Sequence, residues 1–456
     1  MTLENDEEMK YDEDEPMDDD ASSSSDEESE QEGEEAGGDG KRKVYIPGVS
    51  RQLKEGEELE YDPAAYRIFH TFETENPCLS FDVLSDNLGE KREQTPLTCY
   101  LVGGTQVEKL NQNQLVVMRL SNMYGIADEQ SDDEDEDDED DEDDEEKEKK
   151  QKEKDPILTA AVIKHQGEVN RVKSHSLGPA EVCAVWNSTG KVQIWNLNSA
   201  IEKINALEEV KKTVRLDSER PIFSFDGHSA EGFALGWSPL RPGTLASGDN
   251  HKKIFLWNMN EGGQWSVNQR PLIGHNDSVE DVQWSNTEES LLVSVSVDRS
   301  IRLWDVRAPA NQACVCKVEN AHESDINVAG WNKHDPLIVT GGDDAVIKVW
   351  SLKNIQYGQS VARFKHHKSP ITSVEWHPED TTTFMASGED NQITFWDLAM
   401  ETDSGADEDV EGIPPQLLFV HMGLEEIKEV HWHPKINGLA LATALNGFHA
   451  FRTINI

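Results

Sequence analysis

Between Val279 and Asp305 apolar and polar residues alternate on a regular schedule. Val279–Trp284 (VEDVQW) alternates as a half-buried strand does, Leu291–Val295 (LLVSV) is apolar and β-branched, and Ile301–Asp305 (IRLWD) alternates again. Turn-forming residues separate them, Asp298-Arg299-Ser300 among them, and Gly274-His275 opens the stretch. The pattern predicts three strands. A unit of this size cannot bury its own apolar faces, so it carries structural meaning only if it recurs.

It recurs. A Trp closes the first strand at Trp237, Trp284, Trp331, Trp376 and Trp432, at steps of 47, 47, 45 and 56 residues. A second Trp closes the third strand at Trp195, Trp257, Trp304, Trp350 and Trp396, with Phe451 in the last copy. A fourth strand is expected between each Trp-Asp and the next His, at Cys314–Glu319 and Ser360–Lys365. Two aromatics per period of about 45 residues is the spacing of a four-stranded propeller blade. The pattern closely resembles the WD40 repeat. The fold class this implies is all-β: a seven-bladed WD40 β-propeller with a short N-terminal helix and disordered acidic segments. Burying one repeat Trp removes roughly 200 Å² from water, on the order of 5 kcal/mol before entropy.

The first blade is degenerate: Cys78–Leu84, Pro96–Val102 and Gln114–Leu120. The second runs from His165 to Asn196, and the others open at His228, His275, His322, His366 and His421. The last has three strands before Ile456, so Arg67–Phe72 is expected to add its fourth and leave the ring without a free edge. Leu59–Tyr66 is expected to form a short helix. Asp298, Asp344 and Asp390 stand six residues before Trp304, Trp350 and Trp396. The WD40 resemblance places each Asp near a His (His275, His322, and His366 or His367) and a hydroxyl (Ser294, Thr340, Ser387), as a buried network that fixes the blade. His251 occupies the Asp position before Trp257, which is expected to weaken the network there.

Charge divides the chain differently. The formal net charge is −48, from 90 acidic and 42 basic residues. Residues 1–35, 132–146 and 401–411 together hold 39 of the acids and one base. The domains follow: an acidic tail over 1–43, a helical segment over 44–66 and the propeller over 67–456, interrupted by acidic loops at 128–154 and 401–412. Five cysteines in strand-like runs, no apolar leader and no membrane-length apolar run lead us to expect an intracellular chain with reduced thiols. Cys314-Val-Cys316 lacks a second ligand cluster and reads as strand. Ser23, Ser24, Ser25 and Ser29 each precede an acid by three residues and are candidate phosphosites. Lys41-Arg42-Lys43 is a candidate nuclear signal.

Tyr61-Asp62-Pro63-Ala64-Ala65-Tyr66, with Pro77–Leu84 (PCLSFDVL) after it, resembles the glutamate-rich WD-repeat-containing protein family, which is similar to the histone-binding retinoblastoma-binding-type propellers. The resemblance spans about residues 44 to 456 and departs at Asn76, where a Trp is expected before Pro77. It implies a nucleolar factor in assembly of the large ribosomal subunit, with ribosomal protein L-three as client, histones as second clients, and a groove between the N-terminal helix and the last blade. No cofactor, metal or membrane is implied, and a monomer is expected.

Fifteen consecutive carboxylates (Asp132, Asp133, Glu134, Asp135, Glu136, Asp137, Asp138, Glu139, Asp140, Asp141, Glu142, Asp143, Asp144, Glu145 and Glu146) lie well within one Debye length of one another, about 8 Å, and repel. Such a run attracts basic proteins and repels RNA and DNA, so no direct nucleic-acid contact is expected. No GxxxxGK[ST], GxSxG, HExxH or paired CxxC motif occurs, so the chain is expected to be a binding scaffold rather than an enzyme. His431-Trp432-His433 could offer metal ligands, but Trp432-His433-Pro434 repeats Trp376-His377-Pro378, which favours a structural role. Trp304-Asp305-Val306-Arg307 resembles the WDxR box of substrate receptors for cullin-type ubiquitin ligases. Arg307 would be the contact to the ligase adaptor.

Overall fold

The computed structural model describes residue 45 and residues 61–128, 154–207, 212–400, 413–445 and 447–456. From Tyr66 onward the chain winds through seven antiparallel sheets, the blades, whose innermost strands touch in cyclic order. Blade 4, with strands Val279–Trp284, Leu291–Ser296, Ile301–Asp305 and Cys314–Val318, follows the predicted schedule. Blade 7 is built from both ends of the described chain: Tyr66–Glu73 pairs antiparallel with Gly447–Thr453. The ring therefore closes through hydrogen bonds between its first and last strands. The core is a series of wedges between neighbouring blades. One of them joins Ala246 and Ile254 of blade 3 to Val282, Leu292 and Trp304 of blade 4.

The two Trp registers do different work. First-strand Trp side chains tie each blade to the one before it: Trp284 Nε1 donates to Gly236 O (3.0 Å), Trp376 to Gly330 O (3.0 Å) and Trp432 to Glu375 O (3.3 Å). Third-strand Trp side chains are buried inside their own blade and anchor a four-residue chain of hydrogen bonds. In blade 4 Trp304 Nε1 donates to Ser294 Oγ (2.8 Å), Ser294 donates to His275 Nε2 (2.6 Å), and His275 Nδ1 donates to Asp298 (3.1 Å). Blade 5 repeats it with Trp350, Thr340, His322 and Asp344. Every member has its partner, the condition under which a buried polar network stabilises. Burial holds His228, His275 and His322 below the ordinary imidazole value. Burial raises Asp344, but the bonds from His322 outweigh it and hold this carboxyl at about 2.

Several expectations are corrected. In blade 3 the acid has moved two residues earlier: Asp249 accepts from His228 Nδ1 (2.8 Å), Ser247 bridges to Trp257, and the network is complete. In blade 6 His367 rather than His366 opens the network, and Thr394 rather than Ser387 supplies the hydroxyl. Cross-strand register gives the reason. Ser294 pairs with the residue two before its Trp, and the equivalent position in blade 6 is Ala386. Ala386 has no hydroxyl, and Thr394, directly across the ladder, takes the role. Blade 1 has a fourth strand, Ile157–Lys164, and a fifth, Thr213–Arg215, that runs parallel to it. Of the expected helix at Leu59–Tyr66, the described residues form a single 3-10 turn, Pro63–Ala65, capped by Asp62, and Tyr66 already begins a strand.

Candidate functional site

The innermost strands bring charge to the centre of the ring. Glu429, on the first strand of blade 7, is 1% exposed and receives five donors. Arg171 Nη1 (2.9 Å), Lys173 Nζ (2.8 Å) and His431 Nε2 (3.2 Å) converge on Oε1. Ser80 Oγ (2.6 Å) and the Phe81 amide (3.0 Å) reach Oε2. Burial raises the Glu429 carboxyl, but Lys173, Arg171 and His431 outweigh it and hold it well below its ordinary value. Burial and Lys173 lower His431, while Glu375 and Glu429 on its two ring nitrogens raise it to about 9. His431 is therefore an imidazolium between two carboxylates. His433 plays the turn-capping part of His377: its Nδ1 accepts from the Lys435 and Ile436 amides. Among the described residues no group of three or more His, Cys, Asp or Glu side chains is placed to hold a metal ion. Above the hub, on one face, a cavity of about 340 Å³ is lined by Arg171, Asn327, Asp343, Glu389 and Lys428.

The acidic residues 132–146, the acidic loop 401–412 beyond Met400, and Ser23, Ser24, Ser25 and Ser29 lie outside the described residues. Their points of attachment do not. In a blade whose four strands run up and down in order, the link from strand one to two and the link from three to four open on the same face. The acidic run lies in the three-to-four link of blade 1 and residues 401–412 in that of blade 6. Tyr66 begins the fourth strand of blade 7, so the chain enters the ring on that face as well. One apolar cluster gathers these points: Ala65 before the closing strand, Ile126 before the acidic run, Leu418 after the blade 6 loop, and Ile456. Hydrogen bonds seal it, from Ile454 N to Ala65 O (3.1 Å) and from Asn455 Nδ2 to Leu418 O (3.1 Å). The two ends of loop 128–154 are held together, Lys154 Nζ donating to Asp128 O (2.9 Å).

The same seam carries aromatic and imidazole rings. Tyr61, 51% exposed, stacks on Phe69 at 4.5 Å. Tyr66 Oη donates to His421 Nδ1 (2.8 Å), and His421 stacks on Phe451 at 3.9 Å. Unlike the network histidines, His421 has a phenol on Nδ1 in place of a carboxylate. Its Nε2 and His449 Nδ1 are buried without a hydrogen-bond partner. Burial and His449 hold His421 well below the ordinary value, and burial takes His449 to about 4. Between pH about 6.5 and about 4 the unfolded chain binds protons at His449 that the folded seam refuses. That stability is complete above the unfolded value and is lost as pH falls. His449→Phe is expected to flatten the fall in urea midpoint between pH 7 and pH 5. An unchanged slope would show that His449 plays no part in it.

Arg307 follows the third strand of blade 4, on the face from which the acidic loops leave. Its Nε and Nη2 donate to the Asp305 carboxylate (2.9 and 2.6 Å), and these bonds pull Asp305 below its ordinary value. The side chain is 72% exposed. The hub, the seam and the relocated Asp249 left no local mark in the sequence, because their residues come from different blades or displaced positions.

The family model for histone-binding protein RBBP4 and its counterpart in the CAF1 complex matches residues 56–124. The WD domain, G-beta repeat model matches 266–305, 313–351 and 358–397. The chain is 37% identical to ribosome assembly protein rrb1 of Schizosaccharomyces pombe, over 90% of this chain and 84% of that one. It is 36% identical to glutamate-rich WD repeat-containing protein 1 of Dictyostelium discoideum, over 99% of this chain and 93% of that one. Among solved structures, the WD40 β-propeller domain of Doa1 superposes with a TM-score of 0.53 at 15% identity, covering 85% of this chain and 96% of that one, a likeness of fold alone.

Proposed function

Because this chain belongs to the family of ribosome assembly protein rrb1 and glutamate-rich WD repeat-containing protein 1, we propose that it escorts a basic protein of the large ribosomal subunit, L-three being the candidate its family resemblance names. Histones are candidate second clients, from the match to the histone-binding family model. The site of action would be nuclear and nucleolar. The observation that carries this reading is the gathering of the acidic segments' attachment points around Ala65, Ile126 and Leu418. Carboxylates on tethers that start from one seam act as one polyanion. They would raise the local concentration of a basic client, shield it, and release it when ribosomal RNA competes. The apolar seam with Tyr61 and Phe69 would give the specificity that charge alone lacks. Catalysis plays no part in the reading.

Purification of the tagged protein from nuclear extract at low and high salt tests it, with the intact chain and with 132–146 removed. A ribosomal protein retained by the intact chain, and weakened by deletion or salt, supports the escort reading. Its absence from both preparations overturns it. Arg307 supports a second reading, a substrate receptor docking on a cullin-ligase adaptor, because its exposed guanidinium is held outward by Asp305. Arg307→Ala is expected to change stability by less than about 0.5 kcal/mol, as at other exposed ion pairs, and to abolish adaptor co-purification. Recovery of the adaptor at wild-type level would reject that reading.

A further inference from the structure

The relocated acid of blade 3 leaves a residue free that the other blades need. His251, Lys252 and Lys253 occupy the turn held by Asp298-Arg299-Ser300 in blade 4 and Asp344-Ala345-Val346 in blade 5. The left-handed residue confirms the alignment, with φ of 73° at Lys252, 62° at Arg299, 57° at Ala345 and 60° at Asn391. The buried network has moved to Asp249 and loses nothing. Position 251 is thereby released from structural duty, and an acid has been replaced by His with two lysines behind it, in a chain whose net charge is −48.

These side chains converge. Ser229 Oγ lies 3.1 Å from His251 Nδ1 and 3.1 Å from Lys253 Nζ. They border a cavity of about 530 Å³ between blades 2 and 3 that Lys191, Thr189 and Gly190 also line. It opens on the face opposite the acidic attachments, where the links from strand two to three lie. Two ammonium groups, an imidazole and a hydroxyl around one space are a donor set for a compact anion. Two carboxylates share the lining, Asp226 and Glu231. Glu231 is engaged by Asn170 Nδ2 at 3.1 Å.

We propose that this pocket binds a phosphate monoester, the phosphorylated serine or threonine of a basic protein segment. Lys191 and Lys253 supply charge, Ser229 and His251 supply hydrogen bonds, and Asp226 meets a basic neighbour of the phosphorylated residue. A single phosphate on a basic peptide suits the field of this chain. An RNA strand, all phosphate, does not.

Fluorescence anisotropy with the full chain tests the site, using a lysine-containing peptide with one phosphoserine and its unphosphorylated twin. The phosphorylated form is expected to bind at least tenfold more tightly, and inorganic phosphate to displace it. Lys253→Gln and His251→Asp are each expected to abolish the preference while leaving the melting temperature and the binding of the unphosphorylated peptide unchanged. Equal binding of the two peptides, a preference that survives both substitutions, or displacement by single-stranded RNA at lower concentration than by phosphate would each overturn the proposal.

Discussion

Glu429→Ala is expected to destabilise the ring by about 3–5 kcal/mol, the usual cost of removing one partner from a buried ion pair. The substitution leaves Arg171, Lys173 and His431 facing an emptied carboxylate site, with side chains only 16%, 19% and 11% exposed. The damage is not confined to blade 7. Glu429 holds the Ser80 hydroxyl and Phe81 amide of blade 1 and the cations of blade 2, so its loss loosens the junction where the first and last blades meet. At a few degrees per kcal/mol, the melting temperature should fall by roughly 10 °C. Glu429→Gln keeps the shape and removes the charge. It should cost less, and it should move the His431 titration down from about 9, which NMR would follow. A loss below about 1 kcal/mol for Glu429→Ala would show that water, not the carboxylate, balances the three cations.

The second large effect concerns association. Removing Asp132 to Glu146 is expected to slow capture of a purified basic ribosomal protein by about tenfold or more at low salt, with a smaller change in dissociation, because long-range charge acts mainly on encounter. The gap between intact and shortened chains should close as ionic strength rises and the Debye length shrinks to about 8 Å or less. Restoring the deleted length with Gly and Ser in place of acids should not restore the rate. Stopped-flow fluorescence reads both constants. If the dissociation rate carries the whole effect, the run makes short-range contacts and does not steer.

The blades were legible because their markers are local. Trp304, Asp298 and His275 recur with period and order intact, and each answers to a strand or turn that the residues around it form. What escaped detection depends on which residues face one another across strands. Ser387 is a hydroxyl near the expected place, but one residue out of register turns a strand side chain to the other face, and Ala386 stands where Ser294 would. Ile157–Lys164 is hidden behind the acidic run, which makes blade 1 look a strand short. The hub joins Ser80, Arg171 and Glu429, far apart in sequence and adjacent only once the ring closes. The attachment of the acidic segments at one seam follows from strand direction, which composition does not reveal.

Docking of a client at that seam is read by hydrogen exchange, with and without a purified basic ribosomal protein. New protection is expected along Tyr66–Glu73, in Leu417–His421 and around Ile126, with the opposite mouth of the channel, at Asn327, Asp343 and Glu389, unchanged. Protection confined to that mouth, with the seam exchanging as in the free protein, would contradict it.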